Sequence, residues 1–342
     1  MITWITRALW RRFIVTGLVA CLLAPCFSEP AWAEAAVVRI GLQYGIAYLP
    51  LLIMKHLKLV EAHARRLGVE NITTTWKQLG NGVAINEALL SDGLDIASGG
   101  VTVFLTIWDK THGGVKGVAA LEALPMYLVT NRPEVRTLAD FSDRDKIALV
   151  SNKVGTMAVV LQMAAEKLWG PGKHSALDKI TVTMRHPEAL AAVTSGKTEI
   201  TSYFGSPPYQ DQALENPGVH LVLSSYDVTG GPHIFNMIWA KSAFRAKNPL
   251  AYQAFYQALV EAQALIATDP EQAARIYIEE EQVKTSLEQV AAIITRPEIK
   301  FTPAPLNIMV FATFMKRIGL LRTAPETWQD LFLPEVHGEP GS

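Results

Sequence analysis

One stretch of this chain occurs twice. Glu87–Ser98 reads EALLSDGLDIAS, and later Glu188–Ser202 reads EALAAVTSGKTEITS. Each copy has the pattern of an amphipathic helix, a glycine break, an acidic residue and a short strand ending in a polar turn. Ile96 and Ile200 align within the strand, and Ser98 and Ser202 follow two positions later in both. The first copy ends in Ser98-Gly99-Gly100, and the second runs into Phe204-Gly205-Ser206-Pro207-Pro208-Tyr209. A repeat that carries a whole helix and strand predicts two similar α/β lobes, whereas a solenoid repeats at a shorter period. Two facing lobes make a cleft, and function is expected there.

The first residues are not part of that fold. Arg7, Arg11 and Arg12 precede an apolar run from Phe13 to Phe27, and Ala31-Trp32-Ala33 supplies small residues around a cleavage point. That order is an export signal, and the run is too short for a membrane span. The expectation is a soluble, exported, periplasmic protein whose signal peptide, residues 1–33, is removed near Ala33. Lipid attachment at Cys21 is the weaker alternative, because Leu22-Leu23-Ala24 stays apolar where a polar tether belongs. Arg11-Arg12-Phe13 hints at twin-arginine export. Both cysteines, Cys21 and Cys26, fall in the leader, so the remaining chain has no disulfide, thiol nucleophile or cysteine metal site. With 31 basic and 32 acidic residues and a net charge of −1, the chain has no footprint for nucleic acid.

Along the chain, Val37–Leu42 reads as a buried strand, Gln43–Tyr48 as a turn and Leu49–Leu59 as a helix. Asn71–Leu79, helix Val83–Ser91 and strand Leu94–Ala97 follow, the order of a parallel sheet with covering helices. Met126–Thr130 and Ile147–Val150 read as strands and Met157–Trp169 as a helix stopped by Gly170-Pro171-Gly172. Ile180–Met184, a helix from Pro187 and Ile200–Phe204 complete a second set, and Ile234–Ala240 is the return crossing. Asn248-Pro249 and Asp269-Pro270 each read as an N-cap followed by a first helical position, with Gln272 completing a capping box. Leu306–Ile318 is a last helix closed by Gly319, and the tail from His337 to Ser342 is expected to be disordered. The organisation expected is lobe 1 over 34–129, lobe 2 over 130–227, and 228–342 returning to lobe 1 with C-terminal helices that brace the hinge. Closure about crossings near Met126 and Ile234 is expected.

Ligands of open α/β sheets bind at the carboxyl ends of the strands. That rule selects Gln43, Tyr44 and Gly45 after the first strand, Gly80 and Asn81 after the second, and Ser98, Gly99, Gly100, Val101 and Thr102 after the third. In the second lobe it selects Gly155, Thr156 and Met157, then Ser206, Pro207 and Tyr209. The set holds glycines, hydroxyls, amides and aromatics, and neither arginine nor histidine. Helix starts near Gly82, Val101 and Thr156 can present backbone N–H groups to one oxyanion. His233, after Gly230-Gly231-Pro232, is a further candidate at the return crossing. His56 and His63 have the spacing of one helix but no nearby carboxylate-rich sequence, so packing is their expected role. No G-x-S-x-G, H-E-x-x-H, Walker or dinucleotide motif is present, and neither catalysis nor a cofactor or metal is expected.

Taken together, IGLQYG at Ile40–Gly45, EALLSDGLDIASGG at Glu87–Gly100, KIALVSNKVGTMAVVLQM at Lys146–Met163, SPPY at Ser206–Tyr209 and the ending FMKRIGLLRTAPETWQDLF at Phe314–Phe332 carry a resemblance. From Arg39 onward the chain resembles extracytoplasmic solute-binding proteins of ABC transporters, in the nitrate/sulfonate/taurine group related to thiamine-precursor-binding proteins. The resemblance implies a two-lobed periplasmic binding protein fold of type II, each lobe a mainly parallel sheet covered by helices, joined by two hinge crossings. It implies a monomer that captures a small-molecule solute, such as a sulfonate or carboxylate, and delivers it to an inner-membrane permease with its ATPase. Carried over by position, its ligand contacts fall on Tyr44, Asn81, Gly100, Thr102, Thr156 and Tyr209. A ligand-presenting partner of a membrane sensor is an alternative role. So is a pyrimidine-precursor protein of the thiamine group, although the related enzyme is implied to need a cysteine-rich motif that this chain lacks.

Overall fold

A computed structural model describes residues 34–342; the expected leader, its cleavage point, the lipid-anchor alternative at Cys21 and the twin-arginine signal lie outside the described residues. Two five-stranded sheets form the framework, one for each lobe. The first contains β1 (Val37–Leu42), β2 (Thr73–Gln78), β3 (Ile96–Gly100), β4 (Val115–Ala120) and β10 (Asn236–Lys241), in the order β2-β1-β3-β10-β4. The second contains β5 (Tyr127–Thr130), β6 (Ile147–Leu149), β7 (Thr181–Thr183), β8 (Ser202–Gly205) and β9 (His220–Ser224), in the order β7-β6-β8-β5-β9. Both follow one plan. Three parallel strands are followed by one antiparallel strand that enters from the other lobe, β10 in the first sheet and β5 in the second.

The duplicated stretch is the helix and the strand that complete the parallel set of each sheet. Helix α3 (Gly82–Leu90) leads to β3, and α6 (His186–Ser195) leads to β8. Ser98 and Ser202 are both fully buried within the sheets. Ser98 Oγ donates to the Gly41 carbonyl at 2.6 Å and Ser202 Oγ donates to Thr130 Oγ1 at 2.8 Å, so each satisfies a buried hydroxyl on a neighbouring strand.

The remaining helices are α1 (Leu49–His56), α2 (Leu59–Arg66), α4 (Val101–Lys110), α5 (Thr156–Trp169), α7 (Tyr209–Leu214), α8 (Ser225–Thr229), α9 (Ser242–Lys247), α10 (Pro249–Thr268), α11 (Pro270–Glu281), α12 (Leu287–Ile294) and α13 (Ile308–Arg317). Leu49–Leu59 is not one helix. Lys58 adopts the left-handed conformation (φ 52°) and starts α2 in a new direction. His56 and His63 therefore lie on different helices, and each meets a carboxylate from the far end of the chain, His56 with Glu280 at 3.1 Å and His63 with Glu261 at 2.7 Å. β4, β9 and α12 were not anticipated; β9 has half-exposed positions and too few apolar residues to show a strand period.

Asn248 does not cap α10: its side chain donates to the Phe244 carbonyl and accepts from Ala35 N–H. Glu34 takes the capping role, its two oxygens accepting from Leu250 and Ala251 N–H at 3.0 Å each. A carboxylate here satisfies two orphan donors and complements the helix dipole. Glu34→Ala is expected to lower the unfolding free energy by about 0.5–2 kcal/mol in a urea titration. Asp269 accepts from Gln272 N–H at α11 as expected. The tail is ordered rather than disordered. Ser342 O accepts from Ile308 N–H at 2.7 Å, Ser342 Oγ accepts from Asn307 N–H at 2.8 Å, and Gly341 lies against Trp328. The open N-terminus of α13 holds the tail in place.

The connection between lobes is a short paired ribbon. Leu121 N–H donates to the Asn236 carbonyl at 3.0 Å, and Ala123 exchanges two 2.8 Å bonds with Lys300, which adds a third segment beside the two expected crossings. Helix α13 contacts both α4 and α5, one from each lobe, so the C-terminal helices reach both sides of the hinge. Among the described residues, no helix is long and apolar enough to cross a membrane.

Candidate ligand site

Because three strands of each sheet run parallel, their carboxyl ends collect on one edge, and the two edges face each other. The cavity between them is lined by Gln43, Tyr44 and Tyr48 after β1, Gly80 and Gly82 after β2, and Gly100 and Val103 after β3. Lobe 2 contributes Val150, Ser151, Gly155, Thr156 and Met157 after β6, and Arg185 and His186 after β7. Phe235 and Asn236 come from the return crossing. The space open to water centres is about 50 Å³, room for a handful of waters at about 10–15 Å³ each. That volume suits a small solute.

Seven of the residues selected by the strand-end rule lie together in this wall: Gln43, Tyr44, Gly80, Gly100, Gly155, Thr156 and Met157. The other nine stand behind it or elsewhere. Gly45 (φ 111°) turns the chain toward Pro207, with its carbonyl accepting from Tyr48 N–H. Asn81 Oδ1 is occupied by Ala84 N–H as the cap of α3. Gly99 packs against Gln43 Nε2 and Trp239. Thr102 is fully buried and donates to the Val154 carbonyl at 2.7 Å, which makes it a contact between lobes. Tyr209 stacks on His186 with ring centroids 5.3 Å apart, and Ser206 Oγ lies 3.4 Å from His186 Nε2; both support the wall from behind.

His233 does not reach the cavity. It is fully buried, with Nδ1 at 2.9 Å from the Ile234 carbonyl and Nε2 at 2.9 Å from Ser225 Oγ. Its ring sits between Tyr226 and Phe311, and burial pushes its pKa down to about 4. It is a packed core histidine.

The expected absence of arginine and histidine is corrected by Arg185 and His186. β7 has only three residues, and a reading that ended the strand at Met184 and began the helix at Pro187 passed over the two between. Applying the strand-end rule there finds both. The Arg185 side chain crosses the cleft mouth: a Cβ at Gly80 in lobe 1 would lie 3.7 Å from its Cδ. Its Nε donates to Glu188 at 3.0 Å, so its charge is partly balanced. His186 hydrogen-bonds the buried Tyr203 hydroxyl through Nδ1, and burial pushes its pKa down to about 3. It is a neutral imidazole at ordinary pH.

Asn236 was hidden inside an apolar run. β10 is antiparallel, so its first residue lies opposite the last residue of β3 (Asn236↔Gly100) and therefore at the cleft edge. The side-chain Nδ2 has no partner among the described residues. An unpaired buried donor of this kind costs about 1–3 kcal/mol. Next to it in the ribbon, Glu122 is fully buried. Glu122 Oε1 accepts from Asn236 N–H at 2.9 Å, while burial holds its carboxyl well above the usual range.

Helices α4 and α5 begin at Gly100 and Gly155, neither of which has a side chain to cap the first turn. Val101 N–H is taken by the Phe235 carbonyl at 2.9 Å, and the first two residues of α5, Thr156 and Met157, line the cavity. Glycine at 155 has a steric cause, since a Cβ there would lie 2.4 Å from the Ser151 carbonyl oxygen. The site thus pairs backbone dipoles and two side-chain amides, Gln43 and Asn236, with apolar walls from Val103, Val150, Met157 and Phe235. Among the described residues, no group of three or more histidines and carboxylates is placed to hold a metal ion.

No family model and no curated protein matches the sequence. Solved structures do match in shape. The periplasmic aliphatic sulphonate binding protein SsuA from Escherichia coli aligns over 88% of this chain and 93% of its own, with TM-score 0.66 and 19% identity. The alkanesulfonate-binding protein SsuA from Xanthomonas axonopodis, bound to MOPS, aligns over 89% and 98% with TM-score 0.66 and 16% identity. The fold is that of the periplasmic binding proteins. The nitrate-binding protein NrtA from Synechocystis is also similar, over 87% and 85% of the two chains, with TM-score 0.65 and 16% identity. In this binding-protein fold the two lobes, the crossings and the cleft edge of each sheet take the places described above.

Proposed function

We propose that this protein is an exported solute-binding protein that captures a small organic anion between its lobes and delivers it to the permease of an ABC transporter. The observation that carries this reading is the cavity itself. It lies at the carboxyl ends of both sheets, where an uncapped helix start and Arg185 favour an anion. The apolar share of the wall favours an organic solute, and the shapes of the sulphonate and nitrate binders agree with it. A periplasmic location, a monomeric state and the two-lobe division of the chain belong to the same reading.

A thermal-shift screen tests it. Purified protein is titrated with sulfonates, nitrate, aliphatic and aromatic carboxylates, sugars, amino acids and pyrimidines. A solute at a hundred times its Kd is expected to stabilise the fold by about 2.7 kcal/mol. The same solute is expected to leave no hydrolysed or transferred product. Turnover of any panel member would replace binding by catalysis, and silence across the panel after unfolding and refolding would remove the solute-binding reading.

A further inference from the structure

Asn236 is held in place by everything except its side chain. Its N–H donates to Glu122 Oε1 at 2.9 Å and its carbonyl accepts from Leu121 N–H at 3.0 Å. The preceding carbonyl, of Phe235, accepts from Val101 N–H at the start of α4. The residue is 1% exposed, lines the cavity, and its Nδ2 has no acceptor among the described residues. Across the cavity stands the uncapped N-terminus of the fourteen-residue helix α5. Asn236, with its unpartnered buried donor, and the first residues of α5, without a side-chain cap, line the same small space.

The charge around that space is limited. Burial pushes the His186 pKa down to about 3 and the Glu122 carboxyl well above its usual range, and Arg185 at the rim is already paired with Glu188. An anion held by dipoles and one partly balanced cation carries one charge comfortably, whereas a dianion needs more compensation. Phe235, Met157 and Val103 offer apolar surface for whatever follows the charged head.

We infer that Asn236 is the specificity-determining donor of the cleft. In this assignment its amide and the first turn of α5 hold the oxygens of a singly charged organic acid, a carboxylate or a sulfonate with a short apolar tail. Glu122 acts through it as a positioning residue by fixing the Asn236 backbone. The inference rests on the solute-binding reading and deepens it. It also places a ligand contact on the return crossing, so occupancy of the cleft bears directly on the hinge.

The test uses thermal shift and calorimetry with defined probes: acetate and butyrate, methanesulfonate and butanesulfonate, inorganic phosphate, and 1-butanol as the uncharged control. Wild-type protein is expected to bind at least one carboxylate or sulfonate and to prefer it to phosphate and butanol; which pair binds identifies the head group. Asn236→Leu removes the donor and Asn236→Asp places a like charge at nearly the same shape. Each is expected to raise the Kd of the bound probe tenfold or more, with the larger loss for Asp. Asn236→Ser guards against a folding defect and is expected to fall between wild type and Leu. Glu122→Gln keeps the acceptor for Asn236 N–H and is expected to preserve affinity, while Glu122→Leu weakens it.

The assignment is overturned if Leu and Asp variants with intact folds bind the monoanion like wild type. A preference for phosphate, or no monoanion binding, overturns it too. Binding of an amino acid, sugar or pyrimidine from the wider panel, unchanged in Asn236→Leu, would remove the role of Asn236 and leave solute capture standing. Silence in every arm would remove both.

Discussion

Replacing Glu122 by Gln is expected to make the protein more stable than wild type at neutral and alkaline pH, and about equal to it near pH 4. Glu122 is fully buried in the ribbon that joins the lobes, with Oε2 unpartnered among the described residues and a single backbone donor at Oε1. Burial raises its pKa well above the usual carboxylate value, so the folded state holds this proton more tightly than the unfolded chain. The sign follows from linkage. Stability associated with the protonated acid is complete below the unfolded pKa, and it declines as pH rises from there toward the folded pKa. One group contributes at most about 1.4 kcal/mol per pH unit across that window. The glutamine has the same acceptor and no proton to lose, so the difference between the two proteins isolates this group from every other titration. Urea unfolding of both at several pH values from 4 to 8 measures it. Parallel stability curves would show that Glu122 ionises freely in the fold; a gap that widens with pH is the expected result.

The raised pKa of Glu122 matters because burial acts on the residues around the cleft in the same sense, against the charged form. His186 in the wall and His233 behind the hinge are both pushed down by burial, to about 3 and about 4. Among the described residues that line the cavity, Arg185 alone is a strongly basic or acidic side chain, beside helix starts and amides. A site of this kind discriminates by geometry and hydrogen bonding more than by net charge.

Much of this architecture was readable because it depends on local patterns. β1 begins and ends where its β-branched run does, and the repeated helix and strand occupy equivalent places in the two sheets. The strand-end rule placed Gln43, Gly100 and Thr156 in the cavity wall, although the third strand runs over Ile96–Gly100 and not Leu94–Ala97. It failed at β7, which is too short to show a period, and so Arg185 and His186 were passed over. Asn236 was missed for a different reason. Crossing strands begin where their neighbours end, a fact of tertiary direction that a run of apolar residues does not display. Thr102 and Tyr209 sit at strand ends as the rule requires. Thr102 turns into the contact between lobes, and Tyr209 backs the histidine. Which end residues face a solute and which face the opposite lobe is decided by the packing of one lobe on the other.

That packing is tight at Gly100, and the last prediction concerns it. A Cβ at Gly100 in lobe 1 would lie 2.4 Å from Thr156 Oγ1 and 3.6 Å from Thr156 Cβ in lobe 2. Thr156 is 4% exposed, and its Oγ1 lies 3.3 Å from Thr102 Oγ1. Relief within either lobe would disturb the start of α4 or α5, whereas the hinge lets the lobes move apart as bodies. Gly100→Val is therefore expected to enlarge the radius of gyration seen by small-angle scattering and to abolish solute-induced stabilisation, with Gly100→Ala intermediate. Overpacking at this contact is expected to cost about 1–3 kcal/mol if the lobes stay together. Thr156→Gly removes the obstructing side chain from the other side. In the Gly100→Ala background it is expected to restore the compact radius, with a coupling of about 0.5–3 kcal/mol between the two changes. A Gly100→Val protein that scatters and binds like wild type would show that the lobes do not depend on this approach. Rescue by Thr156→Gly would show that the absence of a Cβ at Gly100 opposite the Thr156 side chain sets how closely they meet.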